Sequence, residues 1–103
     1  MLRYETIKVN VPADGEASGT ILTVPIGGKI TLRGIANNQS VTSIVFMEIE
    51  GNRFLRSYYR INNGYENFIP LNQDVEGPQT VKVGAESIAG SSGDLWITVM
   101  YEE

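Results

Sequence analysis

The amino-acid sequence predicts an all-β fold, a single antiparallel two-sheet β-sandwich of about seven or eight strands with jelly-roll-like or immunoglobulin-like connections. Three observations support this prediction. Apolar and polar residues alternate through most of the chain, turn-forming residues recur about every 8–12 positions, and no stretch of helix length carries an uninterrupted apolar stripe. The chain has 103 residues, which fits one domain, residues 1–103, with a modest core of its own.

The predicted strands are segments of alternating polarity, each bounded by residues that favour turns. In chain order they are residues 4–11, 19–24, 29–35, 41–50, 53–61, 65–71, 79–86 and 94–101. The first segment sets the pattern, because Ile7, Val9 and Val11 occupy one face and polar residues the other. The second and third alternate in the same way on either side of the turn at residues 25–28.

Turn chemistry assigns the later segments. Gly51-Asn52 predicts a hairpin between the fourth and fifth segments, since glycine in the first place of a two-residue loop suits a type II′ turn. Pro70 cannot donate a ladder hydrogen bond, so the sixth segment is predicted to lie at a sheet edge or to end there. Small residues at 89–93 separate the last two segments.

Composition and charge exclude several classes of function. The chain has no Cys and no His, which removes thiol nucleophiles, zinc sites built on these residues and the commonest proton-transfer group near neutral pH. A formal net charge of −4 opposes binding to nucleic acid and to anionic lipid. No segment has the length of a signal-peptide core or of a membrane span. We therefore expect synthesis in the cytoplasm, with neither nucleic acid nor membrane as a partner.

Carboxylates are the remaining candidates for catalysis, because paired acids suffice for glycoside hydrolysis. Those near predicted loops or together on one strand face are Glu48, Glu50, Asp74, Glu76, Glu86 and Asp94. Nothing in the sequence marks any of them as buried, so they are interpreted as solvated acids. Oxygen ligands from Asp74, Glu76 or Asp94 could hold calcium, but the acidic calcium-loop motif is absent. We predict no catalytic residue, no cofactor, no metal site and no enzymatic activity.

Two regions are apolar on both strand faces, whereas an antiparallel sandwich normally leaves one face of each strand to water. These regions are the hairpin at residues 41–61 and the last strand. Burying one large apolar side chain contributes about 1.5–3 kcal/mol, so the second face is expected to be covered. The mixture of Tyr, Trp, Phe, Met and Arg is typical of interface cores. We predict an interface between copies of the chain, formed by Val45, Met47, Ile49, Phe54, Arg56, Tyr58, Arg60, Trp96 and Met100.

Another explanation requires no second chain. Both regions could be central strands covered by other parts of the same chain, or the hairpin register could differ by one residue from the assumed pairing. A monomer near 11 kDa in light scattering at micromolar concentration would favour this explanation.

Aromatic and basic residues also allow other ligands. Arg53, Arg56 and Arg60 interleave with aromatic residues, which suits an acidic protein partner better than nucleic acid in an acidic chain. A carbohydrate-binding β-sandwich module is the alternative function, since exposed aromatic rings stack on pyranose rings. Its candidate residues are Tyr4, Tyr58, Tyr65 and Trp96.

The whole chain resembles the small β-sandwich proteins that bacteriophages place on their capsids as decoration, cement or head-fibre subunits. The likeness lies in the early first strand at residues 4–9, the segment Phe68-Ile69-Pro70-Leu71-Asn72 and the closing strand at residues 93–101. It implies a non-enzymatic structural protein of the virion, made in the host cytoplasm. It also implies an oligomer, such as a trimer, that binds the major capsid protein and stabilises the capsid.

Overall fold

The protein folds into eight β-strands that form two four-stranded antiparallel sheets. The structure is a computed structural model that describes residues 1–38, 40–57 and 68–103. The strands are β1 (Leu2–Val11), β2 (Glu16–Val24), β3 (Lys29–Asn37), β4 (Ser43–Ile49), β5 (Asn52–Ser57), β6 (Ile69–Glu76), β7 (Gln79–Ser87) and β8 (Gly93–Glu102). The prediction of an all-β sandwich is confirmed.

Strand pairing is nested along the chain. β1 pairs with β8, β2 with β7, β3 with β6, and β4 with β5. The first sheet has the order β1-β8-β3-β6, and the second sheet has the order β2-β7-β4-β5. A chain doubled back on itself in this way and wrapped into two sheets is a jelly roll, which decides between the two predicted arrangements.

The core lies between the two sheets and follows the predicted period of two. In β8, Leu95, Ile97, Val99 and Tyr101 point inward and are buried, while Trp96 is exposed on the other face. The sequence predicted this division. Inward residues of the other strands complete the core, among them Val9, Val11, Leu32, Ile35, Val75, Val81 and Val83.

Most strand ends lie within a few residues of their predicted positions, and the sixth strand differs most. It begins at Ile69 and continues to Glu76, beyond the predicted end at Leu71. It lies at the edge of the first sheet, as Pro70 predicted. The prediction for residues 58–67 falls outside the described residues.

The predicted register of the hairpin is wrong. The turn is formed by Glu50 and Gly51, both with positive φ (50° and 82°), which is the backbone of a type I′ turn. Ile49 consequently pairs with Asn52 and Glu48 with Arg53, and the register shifts again next to Met47. The observed hairpin therefore contains a register shift between Met47 and Glu48 that the predicted pairing did not have.

Alternation along β4 decides which of its side chains enter the core. Val45 and Met47 point between the sheets and are 2% and 0% exposed, and Ile49 packs against the same cluster. Phe46 lies on the opposite face of β4 and is also buried. Both faces of β4 are therefore covered by the chain itself, which is the explanation that requires no partner.

Candidate interaction surface

The residues predicted to form one interface lie in separate places. Val45, Met47 and Ile49 belong to the core of the chain, so their assignment to a subunit interface is corrected. The second apolar face of β4 is that of Phe46, and Arg53 of the same chain covers it. Phe54 and Arg56 lie on β5 of the second sheet, and Trp96 and Met100 lie on β8 of the first sheet. Tyr58 and Arg60, like Tyr65 of the carbohydrate prediction, lie outside the described residues.

A cluster of charged side chains covers Phe46 on the outer face of the second sheet. The guanidinium carbon of Arg53 lies 3.6 Å from the centre of the Phe46 ring. The same guanidinium forms ion pairs with Glu48 (2.8 Å) and Glu86 (3.0 Å), and Arg56 pairs with Glu86 (2.7 Å). Stacking of a guanidinium on an aromatic face is favourable and excludes water from the ring.

Ion pairing in this cluster shifts the ionisation of its members. The hydrogen bond from Arg56 is the largest cause that lowers the pKa of Glu86, and partial burial opposes it. The hydrogen bond with Glu48 raises the pKa of Arg53, and that with Glu86 raises the pKa of Arg56. Two of the three arginines that the sequence offered to an acidic partner, Arg53 and Arg56, are thus paired with carboxylates of their own chain.

The outer face of the first sheet carries several exposed apolar side chains. Leu2, Tyr4 and Trp96 are 45%, 55% and 48% exposed and share this face by strand alternation. Met100, opposite Tyr4 in the ladder, and Phe68 are partly buried beside them. We call Leu2, Tyr4, Phe68, Trp96 and Met100 the aromatic face.

Two close contacts organise the aromatic face. The rings of Tyr4 and Phe68 lie 6.0 Å apart at an angle of 52°, which is a favourable tilted arrangement. The ammonium group of Lys8 lies 5.8 Å from the centre of the Trp96 ring. Tyr4 and Trp96 belong to adjacent strands and are separated by four residues of ladder, about 13 Å.

Polar side chains around the aromatic face are paired with one another. Thr6 and Thr98 share a hydrogen bond of 2.8 Å between the two aromatic positions. Asn10 donates to Asp94 at 2.9 Å. At the other end of β8, Arg33 pairs with Glu102 at 3.0 Å. The apolar surface is therefore bordered by polar groups that bond to one another.

Five of the six carboxylates singled out by sequence have structural partners, and the sixth, Glu76, is exposed at the end of β6. Glu48 and Glu86 form ion pairs with Arg53 and Arg56 over Phe46. The Asp94 carboxylate accepts a hydrogen bond from the Asn10 amide. Glu50 and Asp74 line one cleft of about 310 Å³, but Glu50 accepts from the backbone of Thr80 and Asp74 from the Thr31 hydroxyl. Within the described residues no group of three or more His, Cys, Asp or Glu could hold a metal ion. No helix in this part of the chain is suited to crossing a membrane.

Sequence reasoning found part of the aromatic face. Trp96 and Met100 followed from the alternation in β8, and Tyr4 was a carbohydrate candidate. Leu2 was missed because the first strand was predicted to begin two residues later, although Leu2 continues the alternation of Tyr4. Phe68 was missed as a surface residue because it directly precedes β6, whereas Tyr4 lies on β1, at the other edge of the same sheet. The sequence gives no sign that these two residues are in contact.

No protein-family model matches the chain, and no curated protein sequence does. Among solved structures, it is similar to a cycloisomaltooligosaccharide glucanotransferase of Paenibacillus sp. complexed with cycloisomaltoheptaose, with 17% identity and a TM-score of 0.40. That match covers 85% of this chain and 13% of the glucanotransferase. The chain is also similar to a disulfide-linked pilus protein of Bacillus endospore appendages, with 15% identity, a TM-score of 0.42, and coverage of 99% and 87%.

Proposed function

We propose that the protein is a non-enzymatic structural subunit that decorates or cements a virus capsid. In this proposal it self-associates, binds the major capsid protein and stabilises the capsid from its surface. The aromatic face is the observation that carries the proposal.

The composition of the aromatic face fits a protein partner. Tyr, Trp, Phe and Met are enriched in interface cores, and paired polar groups are typical of interface rims. Trp96 and Tyr4 keep about half of their surface exposed, so a partner would gain apolar burial there. Rigid aromatic side chains of this kind supply much of the binding energy at interfaces.

The fold and the sequence resemblance favour a capsid as that partner. Jelly rolls are frequent in viral capsid proteins, although the same fold serves lectins and enzymes. The likeness of the chain to phage decoration proteins adds the location, the virion surface. A subunit that binds many copies of a rigid lattice gains affinity from multivalency, so a modest surface on each copy is sufficient.

Co-sedimentation tests this proposal. Virus particles are concentrated from cultures of the organism that carries the sequence and separated on a density gradient. We expect the protein in the particle fraction at a fixed ratio to the major capsid protein. Its absence from every particle fraction would overturn the proposal.

Re-binding tests the surface. Particles stripped of the protein are mixed with the purified wild type, with Trp96→Ser and with Tyr4→Ser. We expect each variant to bind at least tenfold more weakly, because it removes an exposed ring from the aromatic face. Phe54→Ser is the matched control, since Phe54 is an exposed aromatic residue on the second sheet. A loss with Phe54→Ser but not with Trp96→Ser would place the contact on the second sheet.

A carbohydrate ligand is the second candidate, favoured by the two exposed rings about 13 Å apart on one strand ladder. Asn10, Asp94 and Lys8 lie beside Trp96 and offer hydrogen-bonding groups to hydroxyls. Affinity electrophoresis in gels containing soluble xylan, dextran or laminarin tests this candidate. Retardation of the wild type that Trp96→Ser abolishes would support it, and unchanged mobility in all three gels would exclude these polysaccharides.

A further inference from the structure

We infer that two copies of the protein associate through the free edge of β1, antiparallel to one another about a twofold axis at Tyr4. The inference rests on the proposed function, which includes self-association, and deepens it by assigning that association to one strand. It follows from the strand order, the direction of the backbone groups and the positions of three side chains.

The sandwich has four edge strands, and β1 is the most regular of them. β6 contains Pro70, and its register with β3 shifts next to Leu32. β5 is six residues long and its register with β4 shifts. β2 has a register shift between Thr20 and Leu22. Prolines, bulges and short length are three of the devices that keep an edge from pairing with another chain.

β1 shows none of these three devices. It has ten residues without Gly or Pro, and it pairs with β8 in one unbroken register. No other described strand pairs with β1. Within residues 1–38, 40–57 and 68–103, its second edge is therefore open to a strand of another molecule.

Backbone direction identifies the groups on the open edge. Met1 and Glu103 exchange two hydrogen bonds, Glu103 N to Met1 O at 3.2 Å and Met1 N to Glu103 O at 3.4 Å. Antiparallel pairs alternate between bonded and non-bonded positions, so the odd residues of β1 face β8. The even residues, including Leu2, Tyr4 and Thr6, direct their N–H and C=O groups to the open edge.

Charge complementarity selects the register. An axis at Tyr4 bonds Tyr4 to its own copy and sets Arg3 opposite Glu5 of the second copy, twice over. An axis at Thr6 instead sets Glu5 opposite Ile7, and an axis at Lys8 brings two lysines together. Arg3 and Glu5 are exposed, and Arg3 already pairs with Glu103 at 2.9 Å, so a second carboxylate would approach the same guanidinium.

Pairing at this edge joins the two first sheets into one. The aromatic faces of both copies then lie side by side, with the two Tyr4 rings as cross-strand neighbours. The dimer thereby presents twice the exposed aromatic surface of one copy on one continuous sheet face. This doubling is what the multivalent binding of the proposed function requires.

Single-cysteine variants test the register, because the chain has no native cysteine. Directly opposed residues in a bonded antiparallel pair have Cα atoms about 5.5 Å apart, within the range of a disulfide. We expect Tyr4→Cys to form a disulfide-linked dimer under mild oxidation at micromolar concentration. Thr6→Cys is the matched control on the same face, since two copies of Thr6 would lie about 13 Å apart and should stay uncrosslinked.

Mixing Leu2→Cys with Thr6→Cys gives a third readout. These positions oppose one another across the proposed axis, so the mixed disulfide should form in preference to either homodimer. Dimerisation of Thr6→Cys in place of Tyr4→Cys would overturn the register, and failure of all three oxidations would overturn the inference.

Charge reversal tests the pairing without cysteine. Arg3→Glu and Glu5→Arg should each weaken the dimer at least tenfold in sedimentation equilibrium, and the double variant should restore it to within a few fold. Circular dichroism of each monomer checks that β1 remains folded, because Arg3 also pairs with Glu103. Two weakened singles and an equally weakened double would overturn the charge register. A monomeric wild type that still co-sediments with particles would refute the inference and the self-association in the proposed function, and would leave the binding to the capsid standing.

Discussion

Arg53 covers the ring of Phe46 on the outer face of the second sheet. Its guanidinium stacks on the ring and is held there by carboxylates of three other strands, Glu16 of β2, Glu48 of β4 and Glu86 of β7. A charged side chain can shield an apolar one in this way because its planar face is weakly hydrated while its edges bind carboxylates. Because Arg53 covers Phe46 on one face and the core covers the other, β4 can carry apolar side chains on both faces.

The Glu86 carboxylate makes the stability of this cluster depend on pH. Its pKa in the folded chain is lowered, chiefly by the Arg56 hydrogen bond, from an ordinary value of 4.5. The stabilisation is complete above that value and is lost as pH falls through the lowered pKa. We expect the free energy of unfolding, measured with urea, to decrease as the pH is lowered below about 4.5. Glu86→Gln should make this dependence on pH weaker.

Arg56→Gln is the matched control for Glu86→Gln, since it removes the other partner of the same hydrogen bond. The dependence of the free energy of unfolding on pH should be weaker in either single variant, and the double variant should weaken it little further. An unchanged slope in both single variants would contradict the assigned cause.

At the level of the strand, β7 depends on a glycine that brings β2 and Phe46 close together. Gly84 is buried opposite Ser18, and a Cβ there would contact the Ala17 carbonyl oxygen and lie 2.6 Å from Phe46 Cζ. Backbone atoms cannot yield as the end of a flexible side chain can. The close packing of these two strands therefore requires glycine at this position.

Gly84→Ala should reduce the free energy of unfolding by about 1–3 kcal/mol, the usual cost of overpacking a core. Urea denaturation followed by circular dichroism measures it. Gly19→Ala is the control on the paired strand, because its Cβ would meet only the flexible end of Ile7 at 3.2 Å. Equal losses in the two variants would argue against the steric explanation.

The strands differ in how far their sequences specify them. Alternation alone predicted both faces of β8, since β8 has core on one side throughout. It failed for the hairpin because Glu50 adopts a positive φ that glycine or asparagine usually takes, which moves the turn by one residue. Trp96 was placed correctly by alternation. The covering of Phe46 by Arg53 could not be predicted, because Glu16 and Glu86, which pair with Arg53, come from strands distant in sequence.

Over the whole molecule, nested pairing makes most strand contacts non-local. β4 and β5 form a local hairpin, whereas Leu2 pairs with Glu102 at the far end of the chain. Closing such long loops costs conformational entropy before the contacts repay it, so folds of this kind fold slowly. The predicted sandwich class already implied slow folding. In the jelly-roll order, the longest loop to be closed is the one between the paired strands β1 and β8.

We expect refolding on the scale of milliseconds to seconds or slower, measured by stopped-flow circular dichroism after dilution from urea. A destabilising change in the outermost pair, such as Ile97→Val, should mainly accelerate unfolding if that pair forms last. Refolding within microseconds would contradict the expected order of events.

The hydrogen-bonded pair of Met1 and Glu103 has a mechanical consequence. Force applied between these two residues loads the β1–β8 ladder from its open end, so its bonds break one after another rather than together. Pulled in this direction, the molecule should unzip at low force and release β1 first. A force applied across the whole sheet face would meet far greater resistance, because many contacts would then bear the load at the same time.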